Sequence, residues 1–460
     1  MFYVMKRISQ KLQALLVIGI LFFASSCEQD YFYEVPPPKV AQQSTTLIAT
    51  HVTTAPNTFS SSFWKTADYL KVSATNMNVQ QLFGDGLLNM TGTYSGITSF
   101  NNGTAPDLTL KAAYDSSNLY ILAEWTDDDV DASHSTWLWN GPVDPRKADP
   151  TAGWTSQRNC DKIAFAFDIA NSTSPAGNFS NVGCAASCHN NGTKYTMHPQ
   201  SGKTDIWNWT VARSNPMGYS EDYVADADSF YTDAGTPVFS RNSAGATDRS
   251  GPAYEWDGTS QNVTLPNGGS AILDPAYYIK NKTPFTGSIE RGDSLYHSVA
   301  PPGDCTYCHG EKGEGGSAAG INYLSQNKKS RAALISGMDN VPDMVTYWAP
   351  LSAADKNDLV AYLRALSGVP GYTLNTPTGS SADVVTLSNI TPINLVNSYL
   401  PSTNKHTKYQ ILIIRKLKTN NSDDIQFDLS ASKQYKFGVA LMDNDGVNHI
   451  GSAIETLTFK

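Results

Sequence analysis

The sequence predicts a mainly β protein that is interrupted by one short helical stretch. The 460 residues are rich in Gly, Asn, Ser, Thr and Tyr, and only 16% are charged, which is typical of strands and turns. Runs such as Leu108–Tyr114 and Leu119–Trp125 alternate apolar and polar residues, and an Asp-Ser-Ser-Asn turn separates them. Helical periodicity is concentrated in residues 286–370.

The N-terminus has the pattern of an export signal. A positively charged start precedes an apolar run from Ala14 to Ala24, which is shorter than the about 20 residues that span a bilayer. The following Ala24-Ser25-Ser26-Cys27 resembles a bacterial lipoprotein cleavage box. We expect a signal peptide over residues 1–26, a lipid on Cys27, and a chain exported to the bacterial cell envelope. There it would be lipid-anchored to a membrane, expected to be the outer membrane at its periplasmic or surface face. An ordinary secretory signal with a chance cysteine is the alternative.

The rest of the chain divides by composition. Residues 27–60 are polar, contain three consecutive prolines and predict a linker. Strand signals then extend over residues 61–285, residues 371–400 read as a second linker, and residues 401–460 return to strands. The last part predicts strands at Tyr409–Arg415, Gln426–Leu429, Tyr435–Met442 and Ala453–Phe459.

The clearest helix prediction covers Ser352–Leu366. Ser352 is suited to cap its first turn, Asp355 stands at the capping-box position, and Gly368 is suited to end it. Leu359 and Tyr362 fall on one face, so we expect this helix to pack on an apolar surface.

Acidic residues give weak signals. Asp127-Asp128-Asp129 suggests calcium, but a solvated loop is the commoner meaning of such a run. Asp443-Asn444-Asp445-Gly446 predicts a hairpin turn and lacks full calcium-loop spacing. The net charge of −9 argues against a nucleic-acid partner.

A cysteine–histidine motif stands at Cys305-Thr306-Tyr307-Cys308-His309. This is the attachment signature of c-type haem, in which two thiols bond the porphyrin and the histidine binds iron. A structural zinc site requires four ligands, and this motif supplies three.

A second motif, Cys184-Ala185-Ala186-Ser187-Cys188-His189, has the same design with one extra residue between the cysteines. The two motifs together predict two covalently bound haem c groups, with His189 and His309 as axial ligands. Of the six cysteines, Cys160 is then left over and is predicted to be a buried thiol.

Residues Arg291–Leu366 resemble class I cytochrome c over nearly all of their length. The similarity rests on Gly292 and Tyr296 in an opening helix, the Cys305–His309 motif, a Gly-rich loop and the final helix. It implies a small all-α cytochrome c domain over residues 286–370. The family's methionine ligand falls at Met344, with Met338 in reserve.

Sequence on both sides of this segment resembles the haem-binding domain related to the ethylbenzene dehydrogenase gamma subunit. The matching stretches are Lys111–Tyr114, Leu119–Trp125 with Asp127, Gly183–His189, Asp205–Trp209, Ala212–Tyr219, Arg415–Thr419 and Asp424–Leu429. The resemblance implies a mainly β sandwich that binds haem at one end and is interrupted by the cytochrome module.

One departure from this family affects the ligands of the first haem. Relatives often carry a lysine after the second tryptophan of the Trp-x-Trp stretch, where this chain has Thr210. Met197 or His198 is therefore the expected sixth ligand, with His134 more remote. Trp207 and Trp209 either wall the haem or are plain core.

These patterns favour a dihaem c-type lipoprotein that carries electrons to redox protein partners not identified by the sequence. No catalytic residue is assigned. Three alternatives remain: a dihaem peroxidase, a sugar-binding sandwich, and an electron-transfer subunit of a molybdenum dehydrogenase or reductase.

Overall fold

The protein is described by a computed structural model. It describes residues 39–72, 74–76, 108–127, 135–141, 146, 152–157, 160–169, 178–181, 199, 201–228, 230–232, 239–243, 251–264, 270–275, 278–298, 305–317, 328–374, 384–392, 407–430, 433–443, 449–452 and 454–460. The chain divides into two units, Met1–Val40 and Ala41–Lys460. All described strands and helices belong to the second unit.

Strands occur on both sides of the predicted helical stretch, as expected. They are β1 Gln43–Ser44, β2 Leu47–His51, β3 Tyr69–Val72, β4 Ala74–Asn76, β5 Leu108–Tyr114, β6 Asn118–Asp127, β7 Thr136–Trp139, β8 Trp154–Gln157, β9 Lys162–Ile169, β10 Lys203–Thr210, β11 Glu221–Ala225, β12 Phe230–Thr232, β13 Phe239–Arg241, β14 Tyr254–Glu255, β15 Asn262–Thr264, β16 Ser270–Ile272, β17 Tyr278–Ile279, β18 Thr283–Pro284, β19 Tyr372–Leu374, β20 Val384–Pro392, β21 Thr407–Lys416, β22 Gln434–Met442, β23 His449–Ser452 and β24 Glu455–Phe459.

The described helices, apart from the first, follow one another between residues 289 and 367. They are α1 Ser62–Thr66, α2 Ile289–Tyr296, α3 Cys305–His309, α4 Arg331–Asp339, α5 Pro342–Trp348 and α6 Ala353–Ser367. In the part of the chain that the structure describes, no helix has the length and apolar character of a membrane span.

Most strands join one large sheet. Its main path runs β12-β11-β10-β9-β22-β24-β2-β5-β6-β21-β20. The turn before β11 also pairs with β20 through a Tyr219–Val385 bridge, and Ser220 N donates to Val384 O over 2.9 Å. The sheet therefore curls until its two ends meet. The β-rich class is confirmed, although the described strands of this path form one continuous sheet instead of the two sheets of a sandwich.

The curled sheet encloses an apolar cluster that we call the main core. Alternate residues of β5 and β6 point into it, including Leu110, Ile121 and Trp125. The opposite face of β6 is also buried, because Tyr120 and Leu122 pack against Trp64 of α1. This explains why β6 has apolar residues on both faces. The predicted strands Leu108–Tyr114 and Leu119–Trp125 are confirmed.

The two predicted linkers contain strands. Within residues 27–60, β2 lies parallel between β24 and β5, with Leu47 and Ala49 fully buried. Within residues 371–400, β20 pairs along its length with β21. Each strand is stabilised by partners far away in sequence, which composition alone does not reveal.

One predicted strand, Gln426–Leu429, is wrong. These residues lie outside any strand, although Phe427 is buried in the main core and its N–H donates to Leu417 O over 2.8 Å. The strand-like pattern of these residues arises because Phe427 anchors a loop to the core while its neighbours Gln426 and Asp428 are exposed. The predictions for β21, β22 and β24 are confirmed to within a few residues at each end.

Candidate functional site

The helices between residues 289 and 367 are organised around a close crossing of α2 and α6. A Cβ atom on Gly292 would overlap the backbone oxygen of Asp358, so only glycine lets the helices approach this closely. Tyr296 and Tyr362 then pack with their ring centroids 5.2 Å apart. The predicted opening helix with Gly292 and Tyr296 is confirmed.

The α6 helix has the predicted caps. The Ser352 side chain accepts the Asp355 N–H over 3.1 Å, and Gly368 follows the helix with a φ of +84°. Leu359 and Tyr362 are buried in a second apolar cluster, separate from the main core.

We call this cluster the second core. Its members are Trp139, Tyr296, Leu334, Met338, Trp348, Leu351, Leu359, Val360, Tyr362 and Ala365.

The Cys305–His309 motif forms the short helix α3. Cys305, Cys308 and His309 occupy positions i, i+3 and i+4, so their side chains leave from the same face. All three are half-buried, whereas Tyr307 is 71% exposed. The motif thus presents its two thiols and its imidazole together at a boundary between protein and solvent.

A glycine-rich turn holds α3 in place. Gly315 N donates to His309 O over 2.7 Å, and Gly316 N donates to Cys308 O over 3.0 Å. A Cβ on Gly316 would lie only 2.7 Å from Tyr307 O. The turn therefore folds back tightly on the motif, which needs glycine at this approach.

The end of α2 fastens this turn from the other side. The Tyr296 hydroxyl donates to Gly310 O over 2.9 Å, and His297 Nε2 lies 3.0 Å from Glu311 O. Burial lowers the pKa of His297, but its bonds to the Asp293 and Glu311 carbonyls and their carboxylates raise it above the ordinary value overall.

Met344, the predicted sixth ligand, lies on α5 at the margin of the second core. Met344 and Cys305 are both partly buried and both pack against this cluster. Met338, the reserve candidate, is instead a buried member of the cluster itself. Met344 and Cys305 therefore both lie at the margin of the second core.

The donor set at this site fits a covalently bound haem. None of the described cysteines, Cys160, Cys305 and Cys308, forms a disulfide. The two thiols of the motif are therefore not bonded to each other. Two thiols and an imidazole on one helical turn, a thioether and an adjoining apolar cluster are the groups that class I cytochromes use. Burial raises the pKa of Cys160 to about 11, which suits the predicted buried thiol.

The residues of the first predicted haem site lie outside the described residues. These are Cys184, Cys188, His189, Met197 and His198, together with the remote candidate His134 and the predicted lipid-bearing Cys27. Trp207 and Trp209, which were expected either to wall this haem or to be plain core, are buried members of the main core. Thr210 accepts the Ser214 N–H over 3.1 Å, so this position serves to shape a turn.

The second core also includes strand residues from the β-rich part. Trp139 of β7 belongs to the cluster, and Trp154 of β8 packs against it, with the two ring centroids 5.7 Å apart. Glu255 of β14 is buried and contacts two arginines, Arg331 Nη2 at 2.8 Å and Arg364 Nε at 3.1 Å. The helical stretch is therefore joined to the strands by apolar and ionic contacts.

Sequence reasoning missed a convergence of acidic residues. Asp127, expected in a solvated loop, is 1% exposed. Its carboxylate lies with those of Asp161 and Asp443 so that one oxygen from each is within 4.8 Å of the others. The three residues stand at the ends of β6, β9 and β22. No local pattern signals their meeting, because it depends on how the sheet curls.

Comparison with known proteins places the chain in a family. A search of curated proteins gave no match. A family model described as ethylbenzene dehydrogenase matches residues 61–321, which is more than half of the chain and contains both cysteine–histidine motifs. The chain therefore belongs to the ethylbenzene dehydrogenase family.

Proposed function

We propose that this chain is a haem-bearing electron-transfer protein of its family. Cys305 and Cys308 would form the thioether bonds to one haem c, His309 would be its axial ligand, and Met344 its sixth ligand. The observation that carries the proposal is the arrangement of the two thiols and the imidazole. They are half-buried on one helical turn beside the second core, against which Met344 also packs.

The protein's own groups have distinct roles in this proposal. The glycine-rich turn and Tyr296 hold α3 against α2, and the second core, against which Cys305 packs, would keep water from one side of the haem. A thioether ligand stabilises ferrous iron relative to a second imidazole. Haem supplies one-electron chemistry when bound, and the chain would set its potential through ligation and burial.

A second covalent haem is proposed at Cys184, Cys188 and His189, with Met197 or His198 as sixth ligand. The support is the sequence motif, since these residues lie outside the described part of the chain. The chain would then be a dihaem cytochrome. The N-terminal pattern supports export, lipid attachment at Cys27 and location in the bacterial cell envelope, where redox proteins would be its partners.

A second candidate function is favoured by the family match. Its description names ethylbenzene dehydrogenase, which suggests an electron-transfer subunit associated with a molybdenum enzyme. Purification from the native host at low salt distinguishes the two roles. Recovery in a fixed ratio with a molybdenum-containing chain favours the subunit, and recovery alone favours the independent carrier.

The proposal is tested by counting covalent haems. The chain would be expressed with its N-terminus in a host that matures c-type cytochromes, and haem measured by pyridine haemochrome spectra and intact mass. We expect two haems in wild type and in Cys160→Ala, the control for loss of a cysteine outside the motifs. We expect one haem in Cys305→Ala/Cys308→Ala and one in Cys184→Ala/Cys188→Ala. A wild-type protein without covalent haem would refute the proposal.

A further inference from the structure

Three aspartates meet in a buried part of the main sheet. Asp205 lies on β10, Asp222 on the adjacent antiparallel β11, and Asp424 in the segment after β21. One carboxylate oxygen from each lies within 4.8 Å of the other two. All three residues are at most 2% exposed, so little water is available to screen repulsion between them.

One guanidinium group partly compensates this charge. Arg415 is fully buried, and its Nη2 lies 3.0 Å from Asp424 Oδ2 and 3.6 Å from Asp205 Oδ2. The Ile425 N–H also donates to Asp205 Oδ2 over 2.8 Å. One positive charge against three carboxylates leaves an excess equal to two negative charges when all three are ionised.

A second observation indicates that a further group belongs here. Asp205 Oδ1 is buried and accepts no hydrogen bond from the described residues, while the Asp205 side chain is within hydrogen-bonding reach of Asp222. A buried carboxylate oxygen without a partner is costly, and this one belongs to a cluster of three buried carboxylates.

We propose that Asp205, Asp222 and Asp424 bind one divalent cation of the calcium type. Calcium takes carboxylate oxygens at about 2.3–2.6 Å, so two ligands of one ion lie at most about 5.2 Å apart. The separation within 4.8 Å fits this limit. Its two charges balance the excess that Arg415 leaves. The ion would fasten the segment after β21 to the β10–β11 hairpin, a structural role independent of haem.

The test measures calcium binding to the full-length protein after dialysis against EGTA. Isothermal titration with calcium chloride and thermal unfolding would be recorded for wild type, Asp205→Asn and Asp424→Asn. We expect wild type to bind calcium and to melt at a higher temperature with it. Each variant should lose one bound ion per chain, or bind it at least tenfold more weakly. The control Asp428→Asn changes an exposed carboxylate of the same segment and should behave as wild type.

Two outcomes would overturn the proposal. One is a wild-type protein whose binding isotherm and melting temperature do not respond to millimolar calcium, which would mean that protons neutralise the cluster. The other is wild-type calcium stoichiometry and affinity in Asp205→Asn and Asp424→Asn that are folded by circular dichroism. The wild-type measurement can refute the proposal even if a variant fails to fold. In that case Asp222→Asn replaces the variant that does not fold.

Discussion

The main sheet and the helical stretch from residue 289 to 367 use their side chains differently. In the sheet, strands from distant parts of the chain enclose the main core, and aromatic residues such as Trp207 and Phe167 are fully buried there. In the helical stretch, short helices surround the smaller second core, and Cys305 and Met344 remain at its margin. The aromatic side chains of the sheet fill its core, whereas the helical stretch leaves Cys305 and Met344 partly exposed at the margin of its core.

The two regions meet at the second core, so this comparison can be tested at their junction. Trp139 and Trp154 supply the apolar contact, and Glu255 supplies the ionic one with Arg331 and Arg364. If this junction stabilises the helical stretch, substitutions that remove its contacts will lower the free energy of unfolding more than substitutions of exposed residues will.

The largest effect is expected for Glu255→Ala. The substitution leaves Arg364 buried without its carboxylate partner, and breaking a buried ion pair in this way costs about 3–5 kcal/mol. Chemical denaturation monitored by circular dichroism measures the loss in the free energy of unfolding. Asp428→Asn, which breaks the exposed pair with Lys433, should leave the unfolding midpoint unchanged. Equal midpoints for the two variants would contradict the structural importance of this junction.

A smaller loss is expected for Gly292→Ala at the crossing of α2 and α6. The added methyl group overlaps the Asp358 backbone, and forcing a methyl group into packed structure costs about 1–3 kcal/mol. Gly337→Ala is the matched control, because its Cβ would have no neighbour within 4 Å and alanine favours the helix by about 1 kcal/mol. Opposite signs of the two changes in unfolding free energy are the predicted result. Destabilisation of similar size in both variants would contradict the close crossing.

Met344→Ala sharpens the proposed assignment of ligands. Loss of a thioether ligand should lower the haem reduction potential by more than about 59 mV, which is tenfold in equilibrium constant for one electron. Spectroelectrochemical titration of the purified cytochrome measures this shift. Met338→Leu conserves volume in the second core and should keep the wild-type potential. A low potential in Met338→Leu and a normal one in Met344→Ala would exchange the two assignments.

The smallest effect concerns the dependence of stability on pH. His297 has a raised pKa, so its protonated form is stabilised in the folded state. This contribution is fully present below the unfolded value of about 6.5 and is lost as pH rises through the folded value. We expect wild type to lose more stability than His297→Gln between pH 6 and pH 8. Parallel curves for the two proteins would show that the contacts of His297 with Asp293 and Glu311 do not depend on its charge.

Local patterns predicted the elements that local physics determines. The apolar alternation of β5, the apolar run of β21 and the caps of α6 at Ser352 and Gly368 are properties of neighbouring residues, and the structure has them. The strand β2 was missed because its short apolar run, Leu47–Ala49, stands in a polar segment, and its partners β24 and β5 come from elsewhere in the chain.

The candidate sites divide in the same way. Cys305, Cys308 and His309 are adjacent in sequence, so one motif was enough to place them on one helical face. Asp205, Asp222 and Asp424 come together only after distant strands pair and the sheet curls. The burial of Asp127 was likewise not predicted, because a run of acidic residues is usually a solvated loop.

The most direct test of the central proposal is peptide mapping of the mature protein. Tryptic cleavage after Arg291 and Lys312 releases one peptide that contains Cys305, Cys308 and His309. Mass spectrometry should find this peptide carrying one haem through both thioether bonds when the protein is made in a host that matures c-type cytochromes. Recovery of the same peptide with two unmodified thiols would contradict the assignment of electron transfer to the helical stretch.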